Sequence, residues 1–161
     1  MRWLCGALLA ATLCAVAHAE VVRPAPNFQI EGVAKGSSLR SFRGQAVVLV
    51  VTRNARDKEF RVEIERLRTL YAQFSTEKVL FVAAIENGPD AVPSDIPFVT
   101  AADPGQVAAD YGLNGRFGIA VIGVDGNLDM VTSKVVAGER VRDVVFDNYE
   151  SQAQARKPLG P

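Results

Sequence analysis

The strongest nucleophiles in this 161-residue sequence are two thiols, Cys5 and Cys14, and its one imidazole is His18. All three lie in a stretch that reads as a targeting segment. Arg2 supplies a positive flank, Leu4 to Ala17 a nearly unbroken apolar run, and Ala17-His18-Ala19 an A-x-A cleavage site. Residues 1–19 are therefore expected to leave as a signal peptide, with the mature chain starting at Glu20. That chain would hold no cysteine and no histidine. A thiolate nucleophile, an imidazole base for a serine triad and the nitrogen or sulfur ligands of a zinc site go with them. No metal site and no cofactor is expected. Carboxylate, hydroxyl, lysine or tyrosine chemistry is what remains.

Two other groupings invite a chemical reading. Arg53, Asn54 and Arg56 fall where an apolar run gives way to an amphipathic one, and Arg116 lies in a later Gly-containing loop. Guanidinium groups at a helix N-terminus suit a carboxylate or phosphate. The same residues also read as solvated arginines paired with Asp57 and Glu59, with Asn54 as a helix cap, which is the commoner arrangement. Glu59, Glu63 and Glu65 could form a carboxylate set. Interleaved with Arg61, Arg66 and Arg68, they read instead as the charged outer face of a helix. Loss of Arg2 leaves 17 basic residues against 18 acidic ones, a balance that gives no electrostatic case for nucleic acid.

The elements that must position these groups are legible in the apolar pattern. Phe28 and Ile30 alternate with polar neighbours as in a short strand, and Leu39 to Arg43 reads as a single turn. Ala46 to Thr52 is a continuous, mostly β-branched run, the signature of a strand buried on both faces. Phe60, Ile64, Leu67, Leu70 or Tyr71, and Phe74 recur at helical spacing. Lys78 to Ile85 predicts a second buried strand, followed by a loop from Glu86 to Pro97 that carries Pro89, Pro93 and Pro97. Asp103-Pro104-Gly105-Gln106 predicts a helix start, and Gly112 its end. Phe117 to Val124 and Leu128 to Thr132 predict strands joined through Asp125-Gly126, a hairpin signal. A last helix begins at Gly138 and carries Val141, Val144, Val145 and Tyr149 inward. One domain over residues 20–150 is expected, then a flexible polar tail over 151–161. No later segment is long and apolar enough to span a membrane.

Particular residues add a resemblance. Ala25-Pro26-Asn27-Phe28 is similar to an A-P-D-F entry, and Leu39 to Gln45 followed by AVVLVV is similar to an L-x-D-[LF]-[RK]-G-K lead into a central strand. Glu65-Arg66-Leu67 with Leu70-Tyr71 looks like the end of a first helix, and Asp103 to Gly112 with the Gly126 hairpin completes the series. In order and spacing these resemble the thioredoxin-like superfamily in its redoxin branch, the TlpA-like thiol oxidoreductases and the alkyl hydroperoxide reductase and peroxiredoxin relatives. The resemblance implies an α/β fold: a three-layer α/β/α sandwich with a mixed central sheet, a C-terminal β-hairpin and flanking helices.

The resemblance also implies where the chemistry should be. The family's C-x-x-C falls on Asp57-Lys58-Glu59-Phe60, so Asp57 stands at the nucleophilic position and Phe60 at the resolving one. A T-x-x-C pattern starting at Thr52 ends on Ala55. The family's cis-proline falls on Phe117, where a non-proline cis bond would cost about 2.5–4 kcal/mol, so a trans bond is expected. The expected function is that of an exported, redox-inactive pseudoenzyme serving as a protein-binding or accessory module for an unknown exported partner. The proline loop or the altered mouth would supply its surface. The alternatives are a small-anion or ligand binder on Arg53, Asn54, Arg56 and Arg116, and a redoxin-like antioxidant by analogy of fold.

Overall fold

The computed structural model of the chain describes residues 23–34, 37–74, 76–88 and 92–155. The expected signal peptide, Pro89 and the last residues of the expected tail lie outside the described residues. The elements follow in the order β1 (Ile30–Glu31), a 3-10 turn (Leu39–Phe42), β2 (Ala46–Thr52), α1 (Lys58–Phe74), β3 (Val79–Ile85), β4 (Phe98–Ala101), α2 (Pro104–Asp110), β5 (Phe117–Ile122), β6 (Leu128–Thr132) and α3 (Gly138–Ala155).

The strands form one sheet in the order β1-β4-β3-β2-β5-β6. β2, β3 and β4 run parallel, β5 and β6 antiparallel to their neighbours, and β1 antiparallel to β4. Parallel neighbours need a crossover, which α1 supplies between β2 and β3. The sheet is therefore mixed, flanked by α1 and α3 on one face and α2 on the other.

β2 lies at the centre and explains its own composition. All seven residues are buried, because successive side chains feed opposite layers. Ala46, Val48 and Val50 pack with Phe60, Ile64, Leu67, Val141 and Val145 of α1 and α3. Val47, Leu49 and Val51 pack with Val107, Ala108 and Tyr111 on the α2 side. An alternating strand would leave one of these layers without a floor.

Caps and turns follow their sequence signals. The Asp103 carboxylate accepts the Gln106 N–H at 3.0 Å, Pro104 opens α2, and Gly112 turns the chain away at φ +68°. Gly126 closes the β5–β6 connection at φ +85°, with its N–H donating to the Gly123 carbonyl at 2.9 Å. Tyr149 of α3 fastens the far end of the sheet: its hydroxyl donates to the Lys78 carbonyl at 2.7 Å and accepts the Ala46 N–H at 3.1 Å. Burial raises the pKa of that hydroxyl, which keeps its proton available for the first bond.

Three expectations need correction. Phe98–Ala101 is a strand, β4, which the sequence does not announce because it is short and only half-buried over most of its length. β5 ends at Ile122 rather than Val124, where a register shift between Val121 and Ile122 ends regular pairing with β6. Residues 151–155, expected as tail, continue α3 through Ala155. Their Ser-Gln-Ala-Gln-Ala sequence is polar, but Ala and Gln are good helix formers.

The two-sided burial of β2 sets the stability scale. Leu49→Ala, at a side chain with no exposed surface, is expected to cost about 2–5 kcal/mol in denaturant unfolding. Val131→Ala on β6, at 40% exposure, should stay within about 0.5 kcal/mol of the parent.

Candidate functional site

The end of β2 and the start of α1 meet the loop before β5 at a junction built on Thr52. Its hydroxyl oxygen is 3.0 Å from the Asn54 carbonyl, 3.0 Å from the Arg116 carbonyl and 3.1 Å from Asp57 Oδ2, and it accepts the Asn54 N–H at 3.2 Å. One hydroxyl proton serves one acceptor at a time, and a carboxylate is the strongest of the three. Thr52 is almost completely buried, so this junction is a polar knot beneath the mouth of the site.

Asp57 is the residue from which α1 springs. Its carbonyl accepts the Arg61 N–H at 3.1 Å, and its own N–H donates to the Asn54 carbonyl at 3.0 Å. An aspartate there suits the positive end of the helix dipole. Phe60, one turn on, is buried in the core between sheet and helix with Phe117 and Val141. Phe117 opens β5 opposite Thr52. The peptide bond before it is trans, as are all those of the described residues. Neither Phe60 nor Phe117 presents a side chain to the mouth: 1% and 3% of their surface is exposed.

The structure brings Arg53, Asn54 and Arg116 together. The Arg53 N–H donates to the Arg116 carbonyl at 3.1 Å, and its guanidinium donates to the Asn114 carbonyl at 2.9 Å. The same guanidinium lies 4.0 Å from the Glu86 carboxylate. Asn54 Oδ1 accepts the Arg56 N–H at 2.9 Å, closing an Asx-turn that delivers the chain to α1. Arg56 itself lines a separate groove along α1, to which Arg53 and Arg116 do not contribute. The four candidate anion ligands are therefore split between two surfaces.

Glu63 corrects the reading of α1 as uniformly charged outside. Glu59 and Glu65 are exposed, but Glu63 is completely buried. Its Oε2 accepts the Val136 N–H at 2.8 Å, while Oε1 has no hydrogen-bond partner among the described residues. Burial raises its pKa above the usual glutamate range, against the opposing pull of the Val136 N–H and the Arg66 charge. Arg66 also donates to the Val136 carbonyl at 2.9 Å, so α1 satisfies both polar backbone groups of that residue. The sequence does carry the signal. Glu63 follows Phe60 by three residues and precedes Leu67 by four, which places it on the apolar stripe. Among the described residues no group of three or more His, Cys, Asp or Glu side chains is arranged to hold a metal ion.

No family model matches the chain, and no curated protein matches it. Solved structures do. A thiol:disulfide interchange protein of the thioredoxin family from Chlorobium tepidum is similar with a TM-score of 0.61 at 16% identity, covering 79% of this chain and 96% of that one. A secreted thiol-disulfide isomerase from Corynebacterium glutamicum is similar with a TM-score of 0.58 at 17% identity, covering 80% and 85%. StoA from Bacillus subtilis gives a TM-score of 0.54 at 10% identity, covering 74% and 96%. The fold of this chain is thus thioredoxin-like, as the resemblance in its sequence implies.

Two outcomes follow from the buried polar groups. Thr52→Val keeps the shape but removes the hydroxyl, leaving the Asn54 N–H without its acceptor; a loss of about 1–3 kcal/mol is expected by denaturant titration. For Glu63, a raised folded pKa means the proton binds more tightly in the folded chain. Its stabilising share is therefore present below the ordinary glutamate pKa and fades as pH rises through the raised value. Glu63→Gln, which cannot ionise, should gain in melting temperature over the parent as pH rises from about 4 to 8, the two converging at the acid end. Parallel pH profiles of the two proteins would contradict this.

Proposed function

We propose that the mature chain is an exported protein of thioredoxin-like fold that performs no thiol–disulfide chemistry and serves as a protein-binding or accessory module. The observation that carries this reading is the pair of residues at the head of α1. Where the resemblance implies a nucleophilic thiol, Asp57 starts the helix and lies within hydrogen-bond distance of the Thr52 hydroxyl. Where it implies the resolving thiol, Phe60 is core. The field at a helix N-terminus lowers a thiol's pKa and makes it reactive. Acting on a carboxylate, it only stabilises the charge. Exchange between thiols and disulfides needs a thiolate at each step, and residues 20–161 contain no cysteine.

Export is supported by the N-terminal A-x-A segment and by the secreted character of the Corynebacterium protein that shares the fold. No helix among the described residues is long and apolar enough to cross a membrane. A binding role is supported by a packed scaffold whose mouth is framed by Arg53, Asn114 and Arg116 rather than by reactive groups. The anion-binding alternative has less in its favour. The Arg53 guanidinium is engaged by Asn114 and Glu86, and Asn54 Oδ1 by the backbone of Arg56.

Purified residues 20–161 should reduce insulin disulfides and consume hydrogen peroxide no faster than a buffer blank. In-cell crosslinking of the tagged mature protein should recover one dominant partner, tested beside Arg53→Glu/Arg56→Glu. Turnover above the blank would overturn the redox-silent half of the reading. Failure to recover any reproducible partner would overturn the other half.

A further inference from the structure

A groove of about 1050 Å³ runs along the outer side of α1, between that helix and residues 92–95. Ala55, Phe60 and Ile64 reach its floor, and Val62, Val92 and Pro93 add apolar wall. Its rim is charged, and lopsidedly so. Five cations line it (Arg56, Lys58, Arg61, Arg66 and Arg68) against two carboxylates, Glu65 and Asp95.

Hydrogen bonds and ion pairs leave most of that positive charge uncompensated. Arg68 takes both carboxylates, Glu65 through two bonds at 2.6 and 3.0 Å and Asp95 at 3.7 Å. Arg66 is turned to the Val136 carbonyl. Arg56, Lys58 and Arg61 have no side-chain partner among the described residues, and all three are exposed. They crowd the start of α1, where the helix dipole makes a cation unfavourable. An apolar floor beneath unpaired cations is the complement of a chain segment that carries carboxylates between apolar side chains.

We propose that this groove binds an extended acidic–apolar segment of a partner protein, an inference that rests on the binding-module reading above and names its surface. Lys58 to Arg68 spans about 15 Å of helix, which matches about four or five residues of extended chain. Apolar side chains of the segment cover Val62, Val92 and Pro93, and its carboxylates meet Arg56, Lys58 and Arg61. A small free anion would gain the charge but not the apolar contact, which is why a peptide is the better occupant. The redox-silent head of α1 then presents the cations that receive the segment.

The test uses fluorescence anisotropy of residues 20–161 with a fluorescein-labelled octapeptide, Asp-Leu-Pro-Glu-Val-Asp-Pro-Leu, whose prolines keep it extended. Saturable binding is expected, weakening with salt as exposed charges are screened. Lys58→Glu/Arg61→Glu should weaken it at least about tenfold, whereas Lys134→Glu/Arg140→Glu, at exposed cations outside the groove, leaves it unchanged. An octapeptide with Asn and Gln in place of Asp and Glu should bind about tenfold more weakly. The Lys58 and Arg61 replacements put carboxylates in the first turn of α1, where the dipole favours them, so an unchanged melting temperature verifies folding. Equal binding by that variant, equal binding of the neutral peptide, or no saturation overturns the proposal. A partner still crosslinked in cells to Lys58→Glu/Arg61→Glu also overturns the groove, yet leaves the binding-module reading standing. Loss of every partner from the unaltered chain removes both.

Discussion

The rest of this structure depends on β2 being covered on both faces. A strand so placed cannot spend side chains on solvent, so each of its residues specifies one of two cores, the even positions that of α1 and α3 and the odd positions that of α2. The pairing with β3 on one side and β5 on the other then brings the ends of three strands to one level, with Thr52 aligned to Ile85 and Phe117. The head of α1 and the loop before β5 are adjacent for that reason. A one-residue slip in β2 would exchange the two cores and break the junction at Thr52 together.

That junction shows how side-chain and backbone acceptors keep a helix head in order. The chain leaving β2 must turn sharply before α1 can start, and its polar backbone groups are partly buried. Asn54 Oδ1, the Thr52 hydroxyl and the Arg116 carbonyl absorb the N–H groups of Arg56, Asn54 and Arg53 in turn. Asp57 completes the set as an acceptor for the Thr52 proton. Every one of these contacts fixes the geometry of the turn into α1.

The layers of the fold are legible in the sequence because they rest on long-range repetition. The seven-residue run of β2 and the stripe from Phe60 to Phe74 each offer many positions that agree. Where few residues decide, the sequence is mute or misleading. β4 has only Phe98 to Ala101 to declare it and pairs through three residues with β3. The end of α3 is polar in a way shared by helices and tails. Glu63 illustrates a different limit: its type argues for the surface and its spacing for the core, and the spacing wins. The places of Asp57 just before α1, of Phe60 on its buried face and of Phe117 at the start of β5 were legible through the order of elements around them. The arginines of the candidate site were not, since a guanidinium's reach lets Arg53 fold back on Asn114 while Arg56, three residues along, lines another surface.

Glu63 also bears on what holds the outer layer in place. A buried carboxyl with one oxygen unpartnered is costly, and an apolar residue of similar volume would avoid that cost. What the carboxyl does provide is a fixed acceptor for the Val136 N–H, in the segment that carries the chain from β6 to α3. With Arg66 holding the Val136 carbonyl, this segment is tied to α1 by both polar groups of one residue. Gly138 then begins α3 so close to Arg66 and Leu70 that a Cβ there would meet the Arg66 carbonyl at 3.0 Å. Close backbone approach and two-point anchoring act on the same stretch, so α3 is registered against α1 before its own apolar side chains reach the core. The two helices that cover one face of β2 are thus joined by polar contacts at one edge, by Val141 and Val145 in the core, and by Phe74 and the half-buried Phe146, stacked at 6.5 Å. The polar edge therefore adds direction to a contact whose area comes from Val141 and Val145 against Phe60, Ile64 and Leu67.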